Sequence, residues 1–154
     1  MTITNATTAE SRRLVDAPID VKLQLSALWA TMVLVFAYVD IFGFYRADVL
    51  EAALNGTIAT TAFVVNQTFL VSTLGYVLIP TLMVTASLVL RPRVNRIVTI
   101  VVALIYALTI VGSGIGETWT DCLAGSAVEV ILLAVIVRTA WTWPASVSAG
   151  TPSC

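Results

Sequence analysis

The chain has 154 residues, 58% of them hydrophobic and 11% charged, with a formal net charge of −1. Soluble domains carry about 25% charged residues, so this chain lacks the polar surface to enclose a water-soluble globule. There is no positive field to attract nucleic acid, and the absence of histidine removes the usual haem, zinc and general-base side chain.

Residues 1–21 are polar and lack the apolar core of a leader, so the first apolar run is expected to be an uncleaved helix. Four runs meet the length of roughly 20 apolar residues needed to cross a bilayer. They are Leu23–Phe42, preceded by the helix-start residues Asp16, Ala17 and Pro18, then Thr68–Leu90, Ile97–Ile115 and Leu123–Trp141. Each must satisfy its own backbone hydrogen bonds, and none alternates as a barrel strand would, so all four are expected to be helices.

Basic residues set the direction. Arg12, Arg13, Lys22, Arg91, Arg93, Arg96 and Arg138 fall on one side, while Arg46 falls on the other with Asp40, Asp48, Glu51, Glu117 and Asp121. Both termini are therefore expected to be cytoplasmic, with the protein in the cell membrane, the bacterial inner membrane. The short link Arg91–Arg96 should fold spans two and three into an antiparallel hairpin. Trp29, Trp119, Trp141 and Trp143 are read as interfacial anchors.

Between spans one and two, Arg46–Leu54 suits a short amphipathic helix on the outer face, stopped by Asn55-Gly56. The apolar run Thr57–Val65 is too short to cross. It is expected either to extend helix two or to fold over the mouth of the bundle. Asn55-Gly56-Thr57 and Asn66-Gln67-Thr68 match the glycosylation acceptor pattern, which matters only in a secretory eukaryotic context. The end of the chain, 145–154, reads as a flexible cytoplasmic tail after a membrane domain spanning 23–144 and an N-terminal segment 1–22.

Glu129 interrupts the fourth run between Val128 and Val130. An acid near the bilayer centre costs about 2.5–3.5 kcal/mol on insertion scales, so it should face protein or water. Ser126, Gly125 and Cys122 share its helical face, and such a small-residue face lets another helix approach. A rise of 1.5 Å per residue places Glu129 about 18 Å, Tyr106 about 14 Å, and Tyr76 and Tyr38 about 21 Å from the basic ends of their helices. Asp40 lies roughly 24 Å up its own helix. These five residues are the expected ion or ligand pathway. Pro80 frees the carbonyl of Tyr76 and should create a kink or a water pocket in the same layer.

No catalytic triad, metal-ligand cluster or cofactor motif can be assembled. Gly112, Gly114 and Gly116 close a membrane helix and do not precede a helix N-terminus, so they form no phosphate loop; Gly112 and Gly116 instead suit close helix contact. Cys122 and Cys154 are expected on opposite sides of the membrane and form no CxxC.

The segments Val21–Trp29, Leu78-Ile79-Pro80, Leu90–Arg96 and Trp141-Thr142-Trp143-Pro144, with Asp40 and Glu129, resemble a family of small bacterial four-span membrane proteins of unknown function. That resemblance covers most of 20–144 and implies a four-helix membrane fold without implying an activity. Small multidrug exporters also pair four spans with a membrane glutamate. Theirs lies in the first helix, where this chain has none, so their activity is not carried over.

The sequence thus predicts an all-α integral membrane four-helix bundle with a short outer amphipathic helix. Its expected surroundings are a lipid bilayer and, through glycine faces, further copies of itself. The leading functional reading is a proton- or cation-coupled carrier or channel. A scaffold or accessory subunit is the alternative, and a lipid- or quinone-binding enzyme is a weaker one. Its substrate would be an ion or small molecule, with no nucleic acid.

Overall fold

A computed structural model describes residues 19–58, 61–115 and 118–143. The expectations for Arg12, Arg13, Asp16 to Pro18, Gly116, Glu117, Pro144, Cys154 and the tail fall outside these residues. Five helices and one two-stranded hairpin follow in the order α1 (Val21–Gly43), α2 (Ala47–Leu54), β1 (Thr57–Ile58), β2 (Thr61–Val64), α3 (Gln67–Val89), α4 (Pro92–Ser113) and α5 (Thr120–Trp141). Four of them, α1, α3, α4 and α5, are long and apolar enough to cross a membrane. The chain is a multi-pass membrane protein.

Local chemistry explains the helix ends. Asp20 caps α1 by accepting from the Lys22 amide at 2.7 Å, and Asn66 caps α3 by accepting from the Phe69 amide at 2.9 Å. The arginine-rich link is shorter than the sequence suggested. Pro92 takes the first position of α4, where its missing N–H costs nothing, so the helix begins at Pro92 rather than Ile97. Only Leu90 and Arg91 remain between α3 and α4.

The short outer helix is present as α2, and Gly56 ends that segment with φ of 70°, a conformation that favours glycine. The next segment departs from expectation. The segment Thr57–Val64 does not extend α3. It pairs with itself as the antiparallel hairpin β1–β2, with Thr57 opposite Val64 and Ile58 opposite Thr61. Threonine, isoleucine, phenylalanine and valine favour extended backbone, and that preference prevails here.

α1 packs against both α3 and α5, and α4 packs against α5, while the α3–α4 seam is the loosest of the four. The contact of α1 with α5 is close at Gly125. A Cβ there would overlap the Val39 side chain. The small-residue face read from the sequence therefore serves packing within the chain, whereas Gly112 faces open space.

The shared core lies toward the end that carries Lys22, Arg91, Arg93, Arg96 and Arg138. Buried residues of α1 stop at Met32, those of α3 begin at Pro80, and those of α5 begin at Glu129. Leu25, Trp29, Met32, Leu133, Ile136 and Ala140 form its centre. Trp29 is thus no interfacial anchor: it is wholly buried on the face shared with Leu25 and Met32. Trp119 and Trp141 are exposed, as anchors should be. Large apolar side chains cover the outward faces, among them Leu70, Leu74, Leu104, Leu108 and Ile131, a surface suited to lipid and not to water.

Candidate functional site

At the basic end, side chains complete what the helix termini leave open. Asn95 donates to the Ser87 carbonyl at 2.7 Å and accepts from Thr99 at 3.2 Å, and Lys22 Nζ donates to the Leu88 carbonyl at 3.1 Å. The last carbonyls of α3, which have no partner within the helix, are thereby held by α4 and α1. The Arg96 guanidinium lies over the Trp141 ring at 5.1 Å, tying α4 to the end of α5.

At the opposite end, Arg46 gathers the outer segment. It donates to Asp48 at 2.8 and 3.2 Å, lies 4.5 Å over the Trp119 ring and reaches Cys122 Sγ at 3.7 Å. The guanidinium holds the Asp48 carboxyl below the usual carboxylate range. This cluster anchors α2 to the start of α5.

The centre of α3 follows directly from Pro80. Proline has no N–H, so the carbonyl of Tyr76, four residues earlier, has no helical donor. The Tyr106 hydroxyl on α4 donates to that carbonyl. The two rings stack with centroids 4.6 Å apart. Thr109 Oγ1 donates to the Tyr106 carbonyl at 2.9 Å, which leaves the Tyr76 hydroxyl as the donor to Thr109 Oγ1 at 2.7 Å. Each tyrosine thus serves the other's helix. This reciprocal clasp binds α3 to α4 at their loosest seam, and α3 continues as one helix through Pro80.

Beside the clasp, α1, α3 and α4 line a partly open cavity of about 160 Å³, with Asp40 at its exposed edge. Asp40, Tyr76, Tyr106 and Pro80 line it together with apolar residues of α1, among them Phe36. The Phe36 ring stands 6.0 Å from Tyr76, extending the aromatic wall. Four residues singled out from the sequence therefore meet at one place. Tyr38 does not join them. It points outward, 56% exposed, and stacks on Phe42 at 6.3 Å. Depth along a helix fixed its height, while the helical rotation between Tyr38 and Asp40 turns it away.

Glu129 is buried, 4% exposed, one turn from the Gly125–Val39 contact. It lies outside the lining of the cavity. No hydrogen bond or ion pair joins its carboxyl to any described residue. The phenols that could have held it are engaged in the clasp. Met32 and Phe36, which the sequence reading passed over, are ordinary apolar helix residues, and only the packing of α1 on α3 marks them as cavity wall. Among the described residues no group of acidic or thiol side chains is arranged to hold a metal ion.

Comparison with curated proteins and with solved structures gave no match. A family model does match, over residues 16–149, which is nearly the whole of the chain. The protein belongs to the family of unknown function DUF6326.

Proposed function

We propose that the protein is a small membrane carrier or channel for protons or monovalent cations, with Glu129 and Asp40 as its ion-binding acids. The observation that carries this reading is Glu129 itself: a 4% exposed acid unheld by any described donor, one turn from the contact of Gly125 with Val39, the residue before Asp40. An acid retained for architecture would be satisfied by donors, since burying a carboxyl without them is costly. Two carboxylates in a poorly screened setting repel one another when both are charged. A proton or a cation between them removes that repulsion, and the cost of its absence drives uptake.

The distribution of packing supports the same reading. Helices α1, α3 and α5 are sealed at their basic halves and carry no buried residue beyond Met32, Pro80 and Glu129 toward the other end. A carrier open to one side has this form. The excess of arginine and lysine at the sealed end favours a cytoplasmic position for it in the cell membrane. On this reading the cavity faces the outside, with the buried Met32 and Pro80 at its inner end and Asp40 toward its mouth.

The test is flux into liposomes containing the purified protein, read with an internal pH dye under an imposed membrane potential. The wild type should move protons above the rate of protein-free liposomes, and Glu129→Gln, which cannot titrate, should fall to the protein-free rate. Wild-type flux at that background rate refutes the proposal, as does unchanged flux in the variant. The tyrosine clasp favours a second reading, a rigid accessory subunit, which predicts no flux at all and a bundle stabilised by Tyr106.

A further inference from the structure

We infer that the cavity between α1, α3 and α4 binds a small organic cation that carries one ring-sized apolar group. This names a substrate class for the site discussed above; it rests on the carrier reading for its purpose but not for its occurrence.

Size gives the first limit. An apolar cavity of about 150 Å³ is known to accept benzene and to stay dry without it. At about 160 Å³ this one takes a body of the same scale. Its walls are Met32, Val33, Phe36, Val77 and Pro80, with the rings of Tyr76 and Tyr106. Away from Asp40, water finds few partners there, because the two phenols already serve the clasp. An apolar body displaces such water without losing hydrogen bonds.

Charge gives the second limit. Asp40 is the one ionisable carboxyl among the lining residues, and no described residue pairs with it. An anion is therefore excluded. A divalent metal ion is poorly served as well, since calcium or magnesium requires six or more oxygen ligands and this wall offers one carboxylate. An ammonium on an organic body needs only a carboxylate on one side and aromatic faces on the other, and Phe36 and Tyr76 stand beside Asp40 in that role.

Three water-soluble probes separate these requirements: phenyltrimethylammonium, tetramethylammonium, which lacks the ring, and benzenesulfonate, which reverses the charge. Binding is measured calorimetrically to the full chain in nanodiscs, against empty nanodiscs. Phenyltrimethylammonium should bind roughly tenfold more tightly than tetramethylammonium, the gain expected for burying a ring. Benzenesulfonate should give no heat above the empty discs. Asp40→Asn should weaken phenyltrimethylammonium by about tenfold, and Asp40→Glu should restore most of the loss. Should Asp40→Asn fail to purify as a folded protein, Asp40→Ser is measured by the same criterion. Absence of phenyltrimethylammonium binding overturns the inference, as do equal affinity for the two cations and an unaltered affinity without the carboxyl. Proton flux that depends on Glu129 without probe binding would sink this inference and leave the carrier reading standing. Probe binding that depends on Asp40 without flux would do the reverse.

Discussion

Tyr106→Phe isolates the hydrogen bond that answers Pro80. Tyr106 is 3% exposed, and its ring stacks on Tyr76 at 4.6 Å. Phenylalanine keeps that stack and the Thr109 bond to the residue's own carbonyl. It removes one hydroxyl, and the carbonyl of Tyr76 is left without a donor. An unsatisfied buried polar group costs about 1–3 kcal/mol. Interhelical hydrogen bonds in membranes average about 0.6 kcal/mol and reach about 1.7 kcal/mol. A loss of about 1–2 kcal/mol is therefore expected, measured by unfolding in mixed micelles with tryptophan fluorescence. The decisive comparison repeats the change in a Pro80→Ala background. Alanine restores the amide N–H, which bonds the Tyr76 carbonyl within α3 and makes the phenol redundant. There Tyr106→Phe should cost less than about 0.5 kcal/mol, a coupling of about 1 kcal/mol across the cycle. Equal costs in the two backgrounds would refute the claim that Tyr106 is retained to serve the proline-freed carbonyl.

Three further outcomes follow from the geometry. Gly125→Ala should destabilise the bundle by about 1–3 kcal/mol through overlap with Val39, and Val39→Ala should recover most of that loss in the same unfolding assay. Trp29 Nε1 is buried with no hydrogen-bond partner among the described residues. Trp29→Phe, which removes this unsatisfied donor, should cost far less than Trp29→Ala, for which about 3–5 kcal/mol is expected. Asp48 is held below its ordinary value of 3.8 by Arg46, so the pair's contribution is present above that value and fades as pH falls through the lowered one. Asp48→Asn should therefore lower stability slightly at neutral pH, where the pair's contribution is present, and flatten the acid limb of the profile below pH ~4, where the wild type has already lost it.

The spans were legible because bilayer thickness sets a length that apolar runs either meet or miss. Their ends were less so: the sequence reading stopped at the arginines, whereas Pro92 starts α4 before them. Gly56 was readable as a stop, and its positive φ is the reason. The hairpin was missed although β-branched residues crowd Thr57–Val65, because hydrophobicity was weighed before extended-chain preference. Residue type alone suggests that Trp29 is an anchor. Its spacing from Leu25 and Met32 put it on one helical face, and that signal was available. The freed carbonyl of Tyr76 could be deduced from Pro80, but its donor could not, since nothing in one sequence tells which face of α4 meets α3. For the same reason depth brought Asp40, Tyr76 and Tyr106 to one layer and wrongly grouped Tyr38 with the inward-facing residues.

The central claim is that α5 lies in lipid with Glu129 turned toward protein. A nitroxide scan of α5 in nanodiscs, with Cys122 and Cys154 replaced by serine, tests it most directly through collision with oxygen and with a water-soluble nickel complex. Oxygen contact should peak at the exposed positions Val128, Ile131 and Val135 and fall at Glu129, Leu133 and Ile136, with little nickel contact along the middle of the helix. An oxygen maximum at position 129, or nickel contact at every position, would contradict it.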